Sequence, residues 1–129
     1  MPSYNSTWFQ PPAPLTEVVL RNANTGVRWD SVPMLLDTGA DVSLVPSTVV
    51  ERLGLEVDPD RRYELFAFDG SASVAQIVSL DLIFLGRTFR GEFLLSDQKW
   101  GILGRNILNA VPILLDGPRL TWDERKRGR

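Results

Sequence analysis

The chain has 129 residues, of which 43% are hydrophobic and 23% are charged, and its formal net charge at pH 7 is −2. This size and balance are typical of one globular domain, and the charge gives no overall attraction to nucleic acid or to an anionic membrane. Because the sequence contains neither cysteine nor histidine, thiol nucleophiles, histidine-dependent triads and zinc sites are disfavoured. Acid–base catalysis would then have to be carried out by carboxylates, lysine or tyrosine. We predict no metal and no cofactor.

No basic segment followed by an apolar one opens the sequence, and the longest apolar run, residues 82–85, is far too short to span a membrane. The sequence as it stands therefore predicts a cytoplasmic protein without membrane contact.

The sequence predicts one domain with two short flanking segments. Residues 1–14 hold four prolines and several polar residues, which favours an extended N-terminal arm. Its aromatic pair, Trp8 and Phe9, is expected to cover a neighbouring surface. Residues 15–122 form the predicted domain, and residues 123–129, with two acids and four bases, form a tail that is expected to be solvated.

The first predicted elements lead to a carboxylate in a tight turn. Residues 16–21 and 27–29 flank an Asn/Gly-containing turn and predict a β-hairpin. The next strand runs into the segment Leu-Leu-Asp-Thr-Gly-Ala-Asp at residues 35–41. Its threonine hydroxyl can bond within the turn, and its glycine lets a second backbone or a substrate approach closely. This places Asp37 at the rim of a core, where a carboxylate is unusual and suited to catalysis.

A helix and two hairpins follow this turn. Residues 46–54 predict one short helix, in which Thr48 and Glu51 have the spacing of a capping box and Gly54 lies at the expected end. The strands 63–68 and 72–78 alternate around Asp-Gly and predict a hairpin. The segments 79–85 and 88–95, which flank Gly-Arg, predict another hairpin with apolar residues that suit a closed or sandwiched β core.

The last elements surround a second motif, Trp-Gly-Ile-Leu-Gly-Arg-Asn-Ile-Leu-Asn, at residues 100–109. Its second half has room for about one turn of helix before Pro112. Residues 113–116 and 119–122 are the predicted closing strands. The segment ending at Asp116 echoes the one ending at Asp37, but Gly-Pro follows it instead of Thr-Gly, so we interpret Asp116 as a turn residue.

Together, LLDTGAD at 35–41 and GILGRNILN at 101–109 resemble the retropepsins, the aspartic proteases of retroviral type, and their cellular and bacterial relatives. The resemblance covers about residues 33–115. It implies an all-β fold, a closed retropepsin-like β-barrel or sandwich with one or two short helices, in which the hairpin around Asp69 and Gly70 is the flap that closes over a bound peptide. The second motif is expected to thread beside the active-site loop and to support it.

The resemblance also implies roles for individual residues. The catalytic triplet would be Asp37, Thr38 and Gly39. Substrate would contact the two residues after this triplet and the flap tip, namely Ala40, Asp41, Phe68, Asp69, Gly70, Ser71 and Ala72. The active-site loop would be supported by Ile102, Leu103, Gly104 and Arg105, with Arg105 paired to Asp41.

Amide hydrolysis without a metal or a covalent nucleophile needs a base to activate water and an acid to protonate the carbonyl oxygen. Two carboxylates about 3 Å apart cannot both ionise, so they share one proton and supply both functions. Because the sequence holds one DTG triplet, the simplest solution is a homodimer that brings Asp37 to its symmetry mate. We therefore predict a homodimeric aspartic endopeptidase acting on peptide or protein substrates.

Two other interpretations stay open at this stage. The chain could be a catalytically silent protease-like domain that binds peptides or mediates dimerisation. It could also be an assembly module in which the protease-like fold is purely structural.

Overall fold

The structure is a computed structural model and describes residues 2–66 and 69–126. No helix within these ranges is long and apolar enough to cross a membrane. In chain order, the elements are β1 (Tyr4–Asn5), β2 (Ala13–Arg21), β3 (Arg28–Leu36), β4 (Leu44–Pro46), α1 (Val49–Leu53), β5 (Arg62–Phe66), β6 (Ala72–Phe84), β7 (Arg87–Ser96), β8 (Gly101–Leu103), α2 (Arg105–Leu108), β9 (Ile113–Asp116) and β10 (Thr121–Glu124).

Most strands belong to one sheet that closes on itself. Its eight strands follow the order β1-β2-β3-β8-β4-β7-β6-β5, and an additional pairing of β2 with β6 completes the ring. β9 and β10 form a separate antiparallel pair. This closed, mostly β architecture with two short helices confirms the predicted fold class.

The core fills the inside of the closed sheet. In β3, alternate residues Val32, Met34 and Leu36 are buried, as expected for a strand with one face on a core. The other large buried side chains include Leu20, Leu80, Leu82, Phe84, Leu103 and Ile107. Trp122 in β10 is also buried, and its indole N–H donates to the Leu15 carbonyl (3.0 Å). The C-terminal strand pair is therefore anchored to the sheet.

The predicted hairpins form, with two shifts in position: the turn between β6 and β7 is Leu85–Gly86 instead of Gly-Arg, and the last strand begins at Thr121 instead of residue 119. β2 and β3 are joined by a turn whose buried Asn22 accepts the N–H groups of Asn24 and Thr25 and donates to the Leu53 carbonyl. β6 and β7 are joined by Leu85 and Gly86, both with positive φ, as in the two-residue turns that match strand twist. β6 runs unbroken for 13 residues, so the segments 72–78 and 79–85 are one strand shared by both hairpins.

The helix after β4 forms, but the predicted capping box does not. α1 ends at Gly54, which has the left-handed conformation (φ 62°) expected after a helix. Thr48 makes no side-chain capping hydrogen bond. Its backbone is itself helical, whereas an N-cap residue needs an extended conformation to direct its oxygen at the first helical N–H groups.

The residues predicted as an N-terminal arm fold back onto the domain. β1 pairs with Ala13 and Pro14 at the start of β2. The ring of Trp8 stacks on Trp100 (centroids 5.6 Å apart), and Phe9 meets the same ring edge-on (4.9 Å). The expectation that this aromatic pair covers a neighbouring surface is confirmed, while the division of the chain into arm, domain and tail stays a prediction.

A buried carboxylate joins three strands of the sheet. Asp81 in β6 is fully buried and lies opposite Arg21 of β2 and Arg90 of β7 in the strand registers. Arg90 donates to both of its carboxylate oxygens (2.8 and 3.1 Å), and Arg21 donates two hydrogen bonds to Oδ2 (3.2 and 3.0 Å). The hydrogen bonds from Arg90, reinforced by Arg21, hold the pKa of Asp81 at about 2, against burial, which raises it. This ion cluster ties β2, β6 and β7 together.

Candidate active site

Asp37 follows β3 directly and is held by its own loop. Its N–H donates to the Leu103 carbonyl (3.0 Å), and its carbonyl accepts the Ala40 N–H (3.2 Å). Its Oδ1 accepts the Gly39 N–H (2.9 Å), an Asx-type turn that orients the carboxylate. The side chain is half-buried. The loop therefore presents one oriented carboxylate at the rim of the core, as the sequence predicts.

The second motif lies beside this loop, as the resemblance implies. β8 pairs in parallel with β3, with Leu35 opposite Ile102 and Leu36 opposite Leu103. On its other side β8 meets β4, with Leu44 opposite Ile102. Because β3 and β4 are the strands on either side of the Asp37 loop, β8 holds both ends of that loop.

Gly104 and Ser43 lock the end of β8 against the loop. The Gly104 N–H donates to the hydroxyl of Ser43 (3.0 Å), which itself donates to Oδ1 of Asn106 (2.7 Å). The next N–H, that of Arg105, donates to the Ala40 carbonyl (2.8 Å). A Cβ on Gly104 would lie 2.9 Å from the Ala40 carbonyl oxygen and closer still to the Val42 carbonyl. The loop and the second motif are therefore in backbone contact that only glycine permits.

We expect Gly104→Ala to lower the free energy of unfolding by about 3 kcal/mol or more, because the clash is with main-chain carbonyls that the sheet holds in place. Urea unfolding of the variant and of the parent protein measures this loss. Gly91→Ala in β7 is the matched control, since a Cβ there meets nothing within 4 Å. Equal stability of the two variants would contradict the tight packing of the loop.

Arg105 does not form the ion pair that the resemblance implies. Its Nη1 donates to the Thr38 carbonyl (2.6 Å), and no ion pair joins it to Asp41 within the described ranges. Asp41 is exposed, where an ion pair contributes little net stability, and the Arg105 guanidinium bonds to the Thr38 carbonyl instead. Arg105 thus supports the loop through both its N–H group and its guanidinium, and its predicted pairing with Asp41 is wrong for this chain.

A cavity of about 380 Å³ opens beside Asp37 and Thr38. Its wall is mostly apolar and comes from β2, β3, the end of α2 and β9, namely Pro14, Leu36, Leu108, Asn109, Val111, Ile113 and Leu115. A larger cavity of about 580 Å³ lies away from Asp37, and its wall includes Arg61 and Arg90, which already pair with Glu92 and Asp81. The smaller cavity is the one connected with the candidate chemistry.

The predicted flap is a hairpin of β5 and β6. Arg62 pairs with Gln76 at its base, and Phe66 pairs with Ala72 near its tip. At the tip, Gly70 has a positive φ of 85° and Oδ1 of Asp69 accepts the Ser71 N–H (2.8 Å). Hydrogen bonds from the Ser71 side chain and backbone lower the pKa of Asp69.

The tip of this hairpin and the Asp37 loop are not joined by polar contacts within the described residues. No hydrogen bond or ion pair in the described part of the chain links the predicted tip residues Asp69, Gly70, Ser71 and Ala72 to Asp37. Phe68, which was predicted to contact substrate, lies outside the described residues. Within those residues, no group of three or more acidic side chains could hold a metal ion.

Comparison with known families decides the classification. The model of the family described as "gag-polyprotein putative aspartyl protease" matches residues 24–110, a range that contains the Asp37 loop, the β5–β6 hairpin and the second motif. The chain belongs to this aspartyl protease family. The resemblance to retropepsins is thereby confirmed.

Solved structures of viral proteases have the same fold as this aspartyl protease family member. The EIAV protease complexed with the inhibitor HBY-793 is 26% identical, with a TM-score of 0.55, and the match covers 76% of this chain and 86% of that one. The solution structure of the simian foamy virus (mac) protease is 18% identical, with a TM-score of 0.50 and coverage of 74% and 91%. A search of curated proteins found no match.

Sequence reasoning missed two residues of this aspartyl protease site. Ser43 and Asn106 form the hydrogen-bonded link between the loop and the second motif. Asn106 belongs to the second motif and Ser43 lies two residues after the first one, but their side chains meet across 63 positions of sequence. The pairing of β4 with β8, which sets Leu44 opposite Ile102, brings them together.

Proposed function

We propose that this protein is a homodimeric aspartic endopeptidase in which Asp37 of each subunit takes part in activating one water molecule. The observation that carries the proposal is the half-buried Asp37 carboxylate, held by the Gly39 N–H and open to a mostly apolar cavity. A rigid loop braced by β8 holds this carboxylate. Membership of the aspartyl protease family supports the same assignment.

The dimer follows from the chemistry. One carboxylate must accept a proton from water while a second group donates a proton to the peptide carbonyl oxygen. Two aspartates about 3 Å apart share one proton and perform both steps. Because the DTG triplet occurs once in the chain, the partner acid is Asp37 of a second copy, related by a two-fold axis.

We assign the remaining roles in binding and positioning to the neighbours of Asp37. The Thr38 hydroxyl donates across the two-fold axis and braces the two loops, while Arg105 holds the Thr38 carbonyl from behind. Gly39 offers its backbone to the substrate near the scissile bond. Ala40 lines a side-chain pocket, and Asp41, which is exposed and has no ion pair in the described ranges, contacts the substrate main chain.

Substrates are extended peptides held beneath the flap by strand-like hydrogen bonds. The flap residues Asp69, Gly70, Ser71 and Ala72, with Phe68, supply the upper contacts. Ordering of the tip by the Asp69–Ser71 hydrogen bond supports a defined flap conformation. Closure of such a hairpin excludes bulk water and completes the site around the substrate.

Incubation of the protein with a peptide library tests this function. We expect cleavage at internal bonds that is blocked by a statine-type mimic of the tetrahedral intermediate, since such a compound fits a site built for the transition state. A chelator should leave the cleavage unchanged. Peptide binding without any cleavage, at every pH tried, would instead support the catalytically silent alternative.

A further inference from the structure

Residues 6–12 form a loop between β1 and β2, which we call the N-terminal loop. Its two ends lie side by side, because Asn5 of β1 pairs with Ala13 of β2. The Asn5 side chain organises the start of the loop, since its Oδ1 accepts the N–H groups of Thr7 (2.9 Å) and Trp8 (2.7 Å). Compact surface loops with adjoining ends are frequently functional. The contacts that this loop makes with the rest of the domain therefore indicate what it does.

The N-terminal loop contacts the domain through aromatic rings. The Trp8 ring stacks on that of Trp100 (centroids 5.6 Å apart), and the Phe9 ring meets the Trp100 ring edge-on (4.9 Å). The ammonium group of Lys99 lies over the Trp8 ring, 4.6 Å from its centroid, which is a favourable cation–π contact. Within the described ranges, no hydrogen bond joins the loop to a residue beyond β1 and the loop itself. Packing of aromatic rings on residues 99 and 100 is therefore the link between this loop and the domain.

Trp100 is the residue at which the chain enters β8. Residues 97–99, which precede it, are exposed, whereas Trp100 is half-buried. The next residue, Gly101, is buried opposite Met34 of β3, and a Cβ there would clash with the sulfur of Met34 and with the Leu44 carbonyl oxygen. Because protein interiors are close-packed, a movement of Trp100 finds no free space at Gly101. It is passed on to β8.

β8 is only three residues long, and it is held at both of its ends. Just after β8, the Arg105 N–H donates to the Ala40 carbonyl (2.8 Å). Just before β8, the rings of the N-terminal loop pack on Trp100. Between these two ends, the Leu103 carbonyl accepts the Asp37 N–H (3.0 Å). The backbone of Asp37 is therefore connected to Trp100 through β8.

We propose that Trp8 is a positioning residue for the aspartic protease site: by packing on Trp100 it fixes the start of β8, and through β8 it holds the Asp37 loop. The expected effect on catalysis rests on the proposed function, whereas the packing can be tested without any substrate. Catalysis requires a carboxylate held close to its reacting geometry, and small displacements lower the rate. Removing the Trp8 ring should therefore loosen the Asp37 loop and slow the reaction.

Hydrogen exchange of backbone amides, followed by NMR, tests the packing. The N–H groups of Asp37 and Arg105 report on the contact between the loop and the second motif, since each donates a hydrogen bond across it. In Trp8→Ala we expect both amides to exchange at least about tenfold faster than in the parent, because local opening becomes more frequent. The slowest-exchanging amides of β6 and β7 report global unfolding and should change by a smaller factor. Acceleration of all these amides by one common factor would indicate a general loss of stability and overturn the proposal.

Trp29→Ala is the matched control. Trp29 is also half-buried, and its ring also lies beneath a cation, the guanidinium of Arg52, at 4.3 Å from the ring centroid. It lies in β3, at the end of the strand that is remote from Asp37. In Trp29→Ala the amides of Asp37 and Arg105 should be accelerated no more than the slowest amides of β6 and β7. Selective acceleration of these two amides in the control as well would overturn the specific role of Trp8.

Cleavage of a library peptide gives a second readout. We expect Trp8→Ala to lower kcat by about tenfold while KM stays within about twofold of the parent value, because the carboxylate loses alignment but the substrate contacts remain. Trp8→Phe should restore most of the kcat and of the amide protection, since a flat ring can still stack on Trp100. Phe9→Ala removes only the edge-on ring and should act in the same direction as Trp8→Ala. It provides the same test if Trp8→Ala does not fold.

The outcomes separate the role of Trp8 from the function of the protein. If the parent cleaves peptides, and Trp8→Ala and Phe9→Ala exchange and cleave as the parent does, the positioning role is wrong and the function stands. If the parent never cleaves peptides but Trp8→Ala selectively accelerates the Asp37 and Arg105 amides, the link from Trp8 to the loop stands and the function is wrong. A higher KM with unchanged kcat would place Trp8 in substrate binding and also overturn the proposal.

Discussion

Replacing Asp37 with asparagine is expected to abolish peptide cleavage, with kcat/KM falling by about 10³-fold or more. Asparagine keeps the shape of the side chain and the oxygen that accepts the Gly39 N–H, so the loop should be preserved. It cannot take a proton from water. In a homodimer the single substitution removes both members of the pair, so no second acid remains to compensate.

Rates on a cleaved library peptide, measured beside sedimentation of the same samples, test this expectation. Asp30→Asn, at an exposed position in the same strand β3, is the matched control and should cleave at the parent rate. Asp116→Asn is a second control, because Asp116 ends the segment that resembles the one ending at Asp37. Oδ1 of Asp116 accepts the Arg119 N–H (3.3 Å), which supports its predicted role in a turn. An Asp37→Asn protein that still dimerises and cleaves peptides at the parent rate would refute the mechanism.

Replacing Asp81 with asparagine should lower the free energy of unfolding at pH 7 by about 3 kcal/mol, at the lower end of the range for breaking a buried ion pair. The carboxylate is fully buried and bonded to both Arg21 and Arg90. The loss of stability is smaller than for a pair in which both charges are buried, because both guanidinium groups reach solvent and can be hydrated. Urea unfolding measures the difference. Glu92→Gln, which breaks the exposed pair with Arg61, should cost less than about 1 kcal/mol.

The Asp81 cluster also predicts how stability depends on pH. Its pKa is lowered from 3.8 to about 2 in the folded protein. A depressed carboxyl pKa contributes stability that is fully present above about pH 4 and is lost as the pH falls towards 2, because the unfolded chain then binds the proton more readily. The stability difference between the parent and Asp81→Asn should therefore shrink over this interval. A difference that stays constant from pH 6 to about pH 2 would contradict the assignment.

Local sequence signals predicted the elements well where neighbouring residues decide the conformation. Turns that contain glycine, such as those at Gly26 and Gly86, allow positive φ, and the alternating strands beside them bury one face, so the hairpins could be recognised from short windows, although the second turn lies one residue earlier than predicted. The turn at Asp37 and the glycine at the end of α1 are of the same kind. The prediction of a capping box was wrong because the spacing of Thr48 and Glu51 does not determine the backbone conformation of Thr48.

Contacts between segments that are far apart in the sequence could not be predicted from local signals. The stacking of Trp8 on Trp100, the hydrogen bond between Ser43 and Asn106 and the ion pairs of Asp81 all join residues from different strands or loops. Each depends on strand registers that no single window of sequence contains. The hydrogen bond from the Arg105 guanidinium to the Thr38 carbonyl likewise joins two segments that are far apart in the sequence.

By itself, the sequence determined that this protein lacks thiol and imidazole chemistry, that it is built of hairpins, and that one carboxylate is placed in a Thr-Gly turn after an apolar strand. These properties follow from composition and from the conformations that adjacent residues allow. Only the tertiary structure decided that β8 lies between the two ends of the Asp37 loop, that Asp81 is neutralised by two arginines, and that a mostly apolar cavity opens beside Asp37. The physical reason is that packing and hydrogen bonding across the closed sheet depend on which strands become neighbours, and that choice is made by the whole chain.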